Sequence, residues 1–183
     1  LSVASVLLMG IAIGWLAASI LALSIVYYAV IYTIWLKPRT PQNIVIGGGA
    51  GAFPPLIGWV AVTGDVTLMP VLLFAIIFMW TPPHFWALAL WKKINADYSN
   101  AGVPMLPVVA GADETRRQIL IYSLLLVPIT FLPALVGTAG AIYAGVNVAL
   151  SAMFVYHAVK VYRLREGAEA EMACKKLFGF STL

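Results

Sequence analysis

The chain has 183 residues, 62% of them hydrophobic and 10% charged, with a formal net charge of +4 and a mean hydropathy of +0.96. Water-soluble domains carry about half apolar residues, so this surplus puts apolar side chains on the outer surface, makes lipid the solvent and excludes a soluble enzyme. The positive charge does not mark a nucleic-acid binder, since no basic run is long enough and the aromatics sit inside apolar runs, and the lone Cys174 excludes an internal disulfide.

The chain begins within one hydrophobic run, LSVASVLLMG, and stops in another, LFGFSTL, with no signal-peptide pattern. We therefore expect a single transmembrane domain, residues 1–183, incomplete at both ends. Residues 1–34 carry no charge. As one helix they would reach about 51 Å, well beyond a bilayer core of about 30 Å. Two pieces are expected, 1–15 and 17–36, the first with a G-x-x-x-G spacing at Gly10 and Gly14 that lets helices approach closely. Further spans are expected at 43–63, 67–91, 118–136 and 140–162, and a last apolar stretch at 173–183 is cut off.

The charges test that scheme. All 11 Lys and Arg fall in three regions: Lys37 and Arg39; Lys92, Lys93, Arg116 and Arg117; Lys160, Arg163, Arg165, Lys175 and Lys176. Two expected spans separate each region from the next, so all three belong on one face. The positive-inside rule makes that face cytoplasmic in a bacterial inner membrane, or the matrix side in a mitochondrion.

Four stretches carry candidate chemistry. Y-T-I-W-L-K-P-R-T-P-Q-N, Tyr32 to Asn43, offers Lys37 and Arg39 to a phosphate, the lysine as a point charge and the arginine as a planar fork. Topology anchoring alone also explains them. W-K-K-I-N-A-D-Y, Trp91 to Tyr98, puts an isolated Asp97 beside Lys92 and Lys93. One carboxylate can join substrate phosphate oxygens around Mg²⁺, and it can equally cap a helix or pair with a lysine. Tyr98 reads as an interface anchor. In T-P-P-H-F-W, Thr81 to Trp86, Pro82 and Pro83 should kink the span, and His84 lies roughly 12 Å in from Lys92. Ionisable groups at such depth face the protein interior, so His84 is a candidate haem ligand, base or cation contact with Phe85 and Trp86, or a hydrogen-bonded packing residue. G-G-G-A-G-A-F-P-P, Gly47 to Pro55, follows no strand and reads as close helix packing rather than a phosphate loop. Arg116 and Arg117, after D-E-T, read as a helix start, and His157 as an interface residue.

The motifs Y-T-x-x-L-K…R-T-P-Q-N-I-V-I-G-G, P-P-L-I-G-W, P-P-H-F-W and D-Y-x-x-A-G-V-P-M-L-P-V occur in order along nearly the whole chain. Together they resemble the UbiA-type intramembrane prenyltransferases and, among them, the protohaem IX farnesyltransferase (haem O synthase) family. The resemblance implies an all-α bundle of nine spans. It implies transfer of a farnesyl group from farnesyl diphosphate to a vinyl group of haem B, a substrate rather than a cofactor, giving haem O for terminal oxidases. It implies Mg²⁺ held by acidic inner-face motifs, basic residues on the leaving diphosphate, and haem A synthase or oxidase-assembly proteins as partners. Carried onto this chain, Asp97 is the metal ligand and, with His84, catalytic. Lys37, Arg39, Lys92 and Lys93 bind diphosphate, and His84, Trp86 and Tyr98 contact haem or the cation. Two departures stand out. The first acidic motif, of the N-x-x-x-D-x-x-x-D kind, is absent and expected just before residues 1–15, and Lys93 stands four before Asp97 where the wider superfamily has Asp. Two rivals are a transporter, which would favour mid-membrane polar groups, and a non-catalytic haem-binding subunit, which would not need the Lys37, Arg39 and Asp97 cluster.

Overall fold

The computed structural model describes residues 1–182, and all regular structure among them is helical. Five helices are long and apolar enough to cross a membrane: Trp15–Leu36, Asn43–Thr63, Leu68–Ala89, Gly111–Leu135 and Ala141–Arg163. The protein is an integral membrane helical bundle.

Helix α1, Ser2–Ala12, has 11 residues and packs against α2, Trp15–Val26. A Cβ on Gly10 would lie 2.5 Å from the Trp15 ring, so that glycine admits the indole, whereas Gly14 caps α2 and faces open space. Only one glycine of the G-x-x-x-G pair therefore serves close packing. Without a break, α2 widens into π winding over Tyr27–Leu36. The wide turn persists to its end, where the Lys37 amide donates to the Tyr32 carbonyl five residues back at 2.8 Å.

Helix α3, Asn43–Thr63, packs most extensively on α4, Leu68–Ala89. The triple glycine explains how. A Cβ on Gly47 would strike the Tyr32 ring; on Gly48 it would come within 2.9 Å of the Thr81 Cβ, and on Gly49 within 2.9 Å of the Tyr27 hydroxyl. Each glycine admits a different neighbour, and Tyr27 closes the seam by donating to the Ile46 carbonyl at 2.6 Å. This is van der Waals contact bought with missing side chains.

Helix α4 is the hub, flanked by α3, by α7 (Gly111–Leu135) and by α9 (Gly167–Ser181). Helix α8, Ala141–Arg163, packs on α7 and α9. Between α4 and α7 the chain is not the open loop that a span starting at 118 suggests. It holds α5, Lys92–Asn100, and α6, Leu106–Val109, and α7 already begins at Gly111. Gly102, at φ +65, stops α5, and the Val103 amide closes on the Tyr98 carbonyl at 3.1 Å.

The two ends of the bundle differ. At one end Arg116 at the start of α7 donates to the Arg165 carbonyl between α8 and α9, and α5 lines the same cavity as both. At the other, Thr138 Oγ1 approaches Met69 Sδ at 3.4 Å, next to two turns that carry no Lys or Arg. We call them the basic end and the opposite end.

Candidate functional site

Two cavities meet the requirements of an amphiphilic ligand. The first, about 420 Å³, lies between the π-wound segment, α3 and α4. Tyr28, Tyr32, Ile77, Trp80 and Phe85 wall it, and Gly47, Gly48 and Gly51 leave one side flat. Its volume is that of a small-molecule site, and its lining is apolar and aromatic. Ala50, beside Gly51, is a further wall residue. Pro54 and Pro55 lack the amides that would take up the carbonyls of those residues four positions earlier in α3. Two residues of the wall thus have carbonyls that lack the usual amide partner four positions on.

The second cavity, about 660 Å³, is polar and opens at the basic end. Lys92, Asn95 and Ser99 of α5 face Arg116, Arg165 and Glu171 across it. Arg116 is buried. It donates to Asp113 Oδ1 at 2.9 Å and to the Arg165 carbonyl at 2.7 Å, while Arg165 donates to the same Asp113 oxygen at 2.8 Å. From the sequence Arg116 reads as part of a helix start; the acid three residues earlier signals its pairing with Asp113, a spacing that puts both side chains on one helix face, but not the link to Arg165.

The expected site residues are scattered over this framework. Lys92 lines the polar cavity, while Lys93 and Asp97 lie outside its walls and are exposed. Asp97 forms no ion pair with any Lys, Arg or His among the described residues. Lys37 is exposed. Arg39 is turned back on the π-wound segment, donating through Nη1 to the Ile34 and Trp35 carbonyls at 3.0 Å each. Its guanidinium closes open helix carbonyls, the cation-at-C-terminus arrangement. Tyr98 packs half-buried against the hydrophobic core.

His84 is buried in an aromatic clamp. Its ring stacks on Trp80 at 4.3 Å and on Phe178 at 4.7 Å, with Phe85 edge-on at 5.1 Å. Nδ1 lies 2.7 Å from Ser181 Oγ, and that hydroxyl donates to the Phe178 carbonyl at 2.6 Å. The hydroxyl has one proton to give, so Nδ1 carries the hydrogen in its contact with Ser181. Trp80 also donates to the Ser181 carbonyl at 3.1 Å. His84 and Trp80 thus fasten α4 to α9, and Trp80 walls the apolar cavity from the other side. Trp86 points elsewhere: it is buried edge-on against Tyr122 of α7 at 5.4 Å.

The described residues thus form a membrane helical bundle with an apolar cavity between its helices and a second, more polar cavity at its basic end. The chain matches the UbiA prenyltransferase family over residues 1–181, and it belongs to that family. It is 59% identical over 183 residues to the protoheme IX farnesyltransferase of Parvibaculum lavamentivorans, covering all of this chain and 57% of that protein. It is 64% identical over 184 residues to that of Erythrobacter litoralis, covering all of this chain and 59% of the relative. With that of Novosphingobium aromaticivorans it shares 62% over 180 residues, 98% of this chain and 59% of the relative. The chain therefore spans under three fifths of the length of these curated relatives. No solved structure matches it.

Proposed function

We propose that this chain is the larger part of a prenyltransferase domain that joins the farnesyl group of farnesyl diphosphate to a vinyl group of haem B, giving haem O. The observation that carries the reading is the likeness to protoheme IX farnesyltransferases along the whole chain. The transporter and the non-catalytic haem subunit gain nothing from it.

In the proposed reaction the farnesyl C–O bond breaks and diphosphate leaves with the electron pair. The allylic carbon bonds to the terminal vinyl carbon of the porphyrin, and water adds to the other vinyl carbon with loss of a proton. Two charges develop, negative on the leaving oxygens and positive on the farnesyl carbon. Lys37, Lys92 and Lys93 supply cations at the basic end for the first, and Arg39 keeps the π-wound segment in place while leaving part of its guanidinium fork for phosphate. For the second, Ala50, Gly51, Tyr28, Tyr32 and Trp80 line the apolar cavity, and backbone dipoles and aromatic π-density of such residues stabilise a cation. The farnesyl tail occupies that cavity, and His84 holds Trp80 in position rather than attacking anything itself.

Mg²⁺ takes one or two carboxylates beside phosphate oxygens. Among the described residues no three His, Cys, Asp or Glu side chains converge, but the exposed, unpaired Asp97 fits one such ligand position. When bound, the ion would offset charge on the diphosphate oxygens. We place the basic end in the cytoplasm of a bacterial inner membrane, or the matrix of a mitochondrion, from its lysines and arginines.

The test is incubation of the purified protein with haem B, farnesyl diphosphate and Mg²⁺, with mass analysis of the extracted haem. Haem O is the expected product. Haem B bound but unchanged would favour the non-catalytic reading and overturn this one.

A further inference from the structure

Helix α8 turns a row of apolar side chains outward: Ile142, Val146, Leu150, Met153 and Tyr156 are each about half exposed or more. Steps of three and four keep them on one face. The next member of the row is Lys160, about 27 Å from Ile142 along the axis, at the basic end. Its Nζ sits 4.7 Å above the Tyr156 ring.

At that point the surface is not flat. The last turn of α8 and the outer face of α9 enclose a groove of about 320 Å³, walled by Lys160, Leu164, Glu169, Met172, Ala173 and Lys176. Its floor is apolar and its rim carries two ammonium groups. Lysines at this end are expected from topology alone. These two are left unneutralised, unlike Lys175 and Arg165. Lys175 pairs with Glu171 at 2.7 Å and Arg165 with Asp113 at 2.8 Å. Neither Lys160, Lys176 nor the adjacent Arg163 has a carboxylate within 4.0 Å among the described residues. Glu169 lies on the wall but pairs with none of them, so the groove keeps a positive excess.

The pattern has the order of a phospholipid: cationic rim, aromatic ring at the interface, then an apolar track long enough for the roughly 15 Å of hydrocarbon in one leaflet. We propose that the groove between α8 and α9 binds an anionic phospholipid, with its headgroup phosphate between Lys160 and Lys176 and an acyl chain along the α8 row. Basic pockets between membrane helices bind such headgroups, each lysine near the surface adding to the affinity. The site is separate from both cavities described above, and it does not rest on the farnesyl-transfer reading.

The experiment is native mass spectrometry of the purified protein after exchange into detergent with equal amounts of phosphatidylglycerol and phosphatidylcholine. The wild-type protein should retain phosphatidylglycerol on the order of tenfold more than phosphatidylcholine. The double variant Lys160→Gln/Lys176→Gln should lose most of that preference and keep its melting temperature. Lys175→Gln, which removes a lysine already paired, should leave the preference in place. An excess of inorganic diphosphate should not displace the lipid, because a headgroup alone lacks the acyl contacts. Equal retention of the two lipids by the wild-type protein, an unchanged preference in the double variant, or displacement by diphosphate would each overturn the proposal.

Discussion

Gly51 lines the apolar cavity, and a Cβ built on it meets nothing within 4 Å. A leucine there would extend four carbons into the space assigned to the farnesyl chain. If those carbons displace a similar length of isoprenoid, each lost methylene burial costs about 0.8 kcal/mol, for a total of about 3 kcal/mol. At about 1.4 kcal/mol per factor of ten, kcat/KM for farnesyl diphosphate should fall roughly a hundredfold. Folding should not suffer. Glycine inside a helix is about 1 kcal/mol worse than alanine and leucine is among the good helix formers, so the melting temperature should hold or rise. The assay is initial-rate haem O formation at saturating haem B against farnesyl diphosphate concentration, beside thermal unfolding in the same detergent. Gly51→Leu with kcat/KM within about threefold of the wild-type value, below even 1 kcal/mol, would show that the isoprenoid lies elsewhere.

The neighbouring Gly48→Ala should do the reverse. Its Cβ would sit 2.9 Å from the Thr81 Cβ, forcing α3 from α4 and lowering stability by about 1–3 kcal/mol, read as a drop in melting temperature. Asp97→Asn should cut turnover by about 10²–10³ and weaken its Mg²⁺ dependence while the protein still binds haem; unchanged rates and an unchanged Mg²⁺ curve would leave Asp97 a surface residue. His84→Ala removes two aromatic stacks and the Ser181 hydrogen bond, at a cost of about 2–3 kcal/mol of stability. Haem O formation should fall with it, and His84→Gln, which keeps a donor, should recover part of the turnover; no recovery would point to a chemical role for the ring. For sidedness, Ser99→Cys and Thr63→Cys should label from opposite faces of the membrane, with little background because Cys174 is buried; labelling from one side would sink the topology.

The all-α membrane class was legible in the sequence. It depends on transfer free energies that each residue carries with it, and an apolar run about 20 residues long has one low-energy place in a bilayer. The triple glycine was legible as close packing for the same kind of reason, since a missing side chain invites a neighbour. Which neighbour came from the tertiary structure: Tyr32, Thr81 and Tyr27 each enter at a different glycine. The pairing of Arg116 with the Arg165 carbonyl, 49 residues away, was equally hidden, because local patterns place a residue on a face and do not say what another helix brings to it. His84 shows the limit most clearly. Its depth in the span announced an interior residue, but Phe178 and Ser181 lie almost a hundred residues downstream. Only the packing of α9 against α4 decided that the imidazole stands between two aromatic rings, with one nitrogen already committed as a donor.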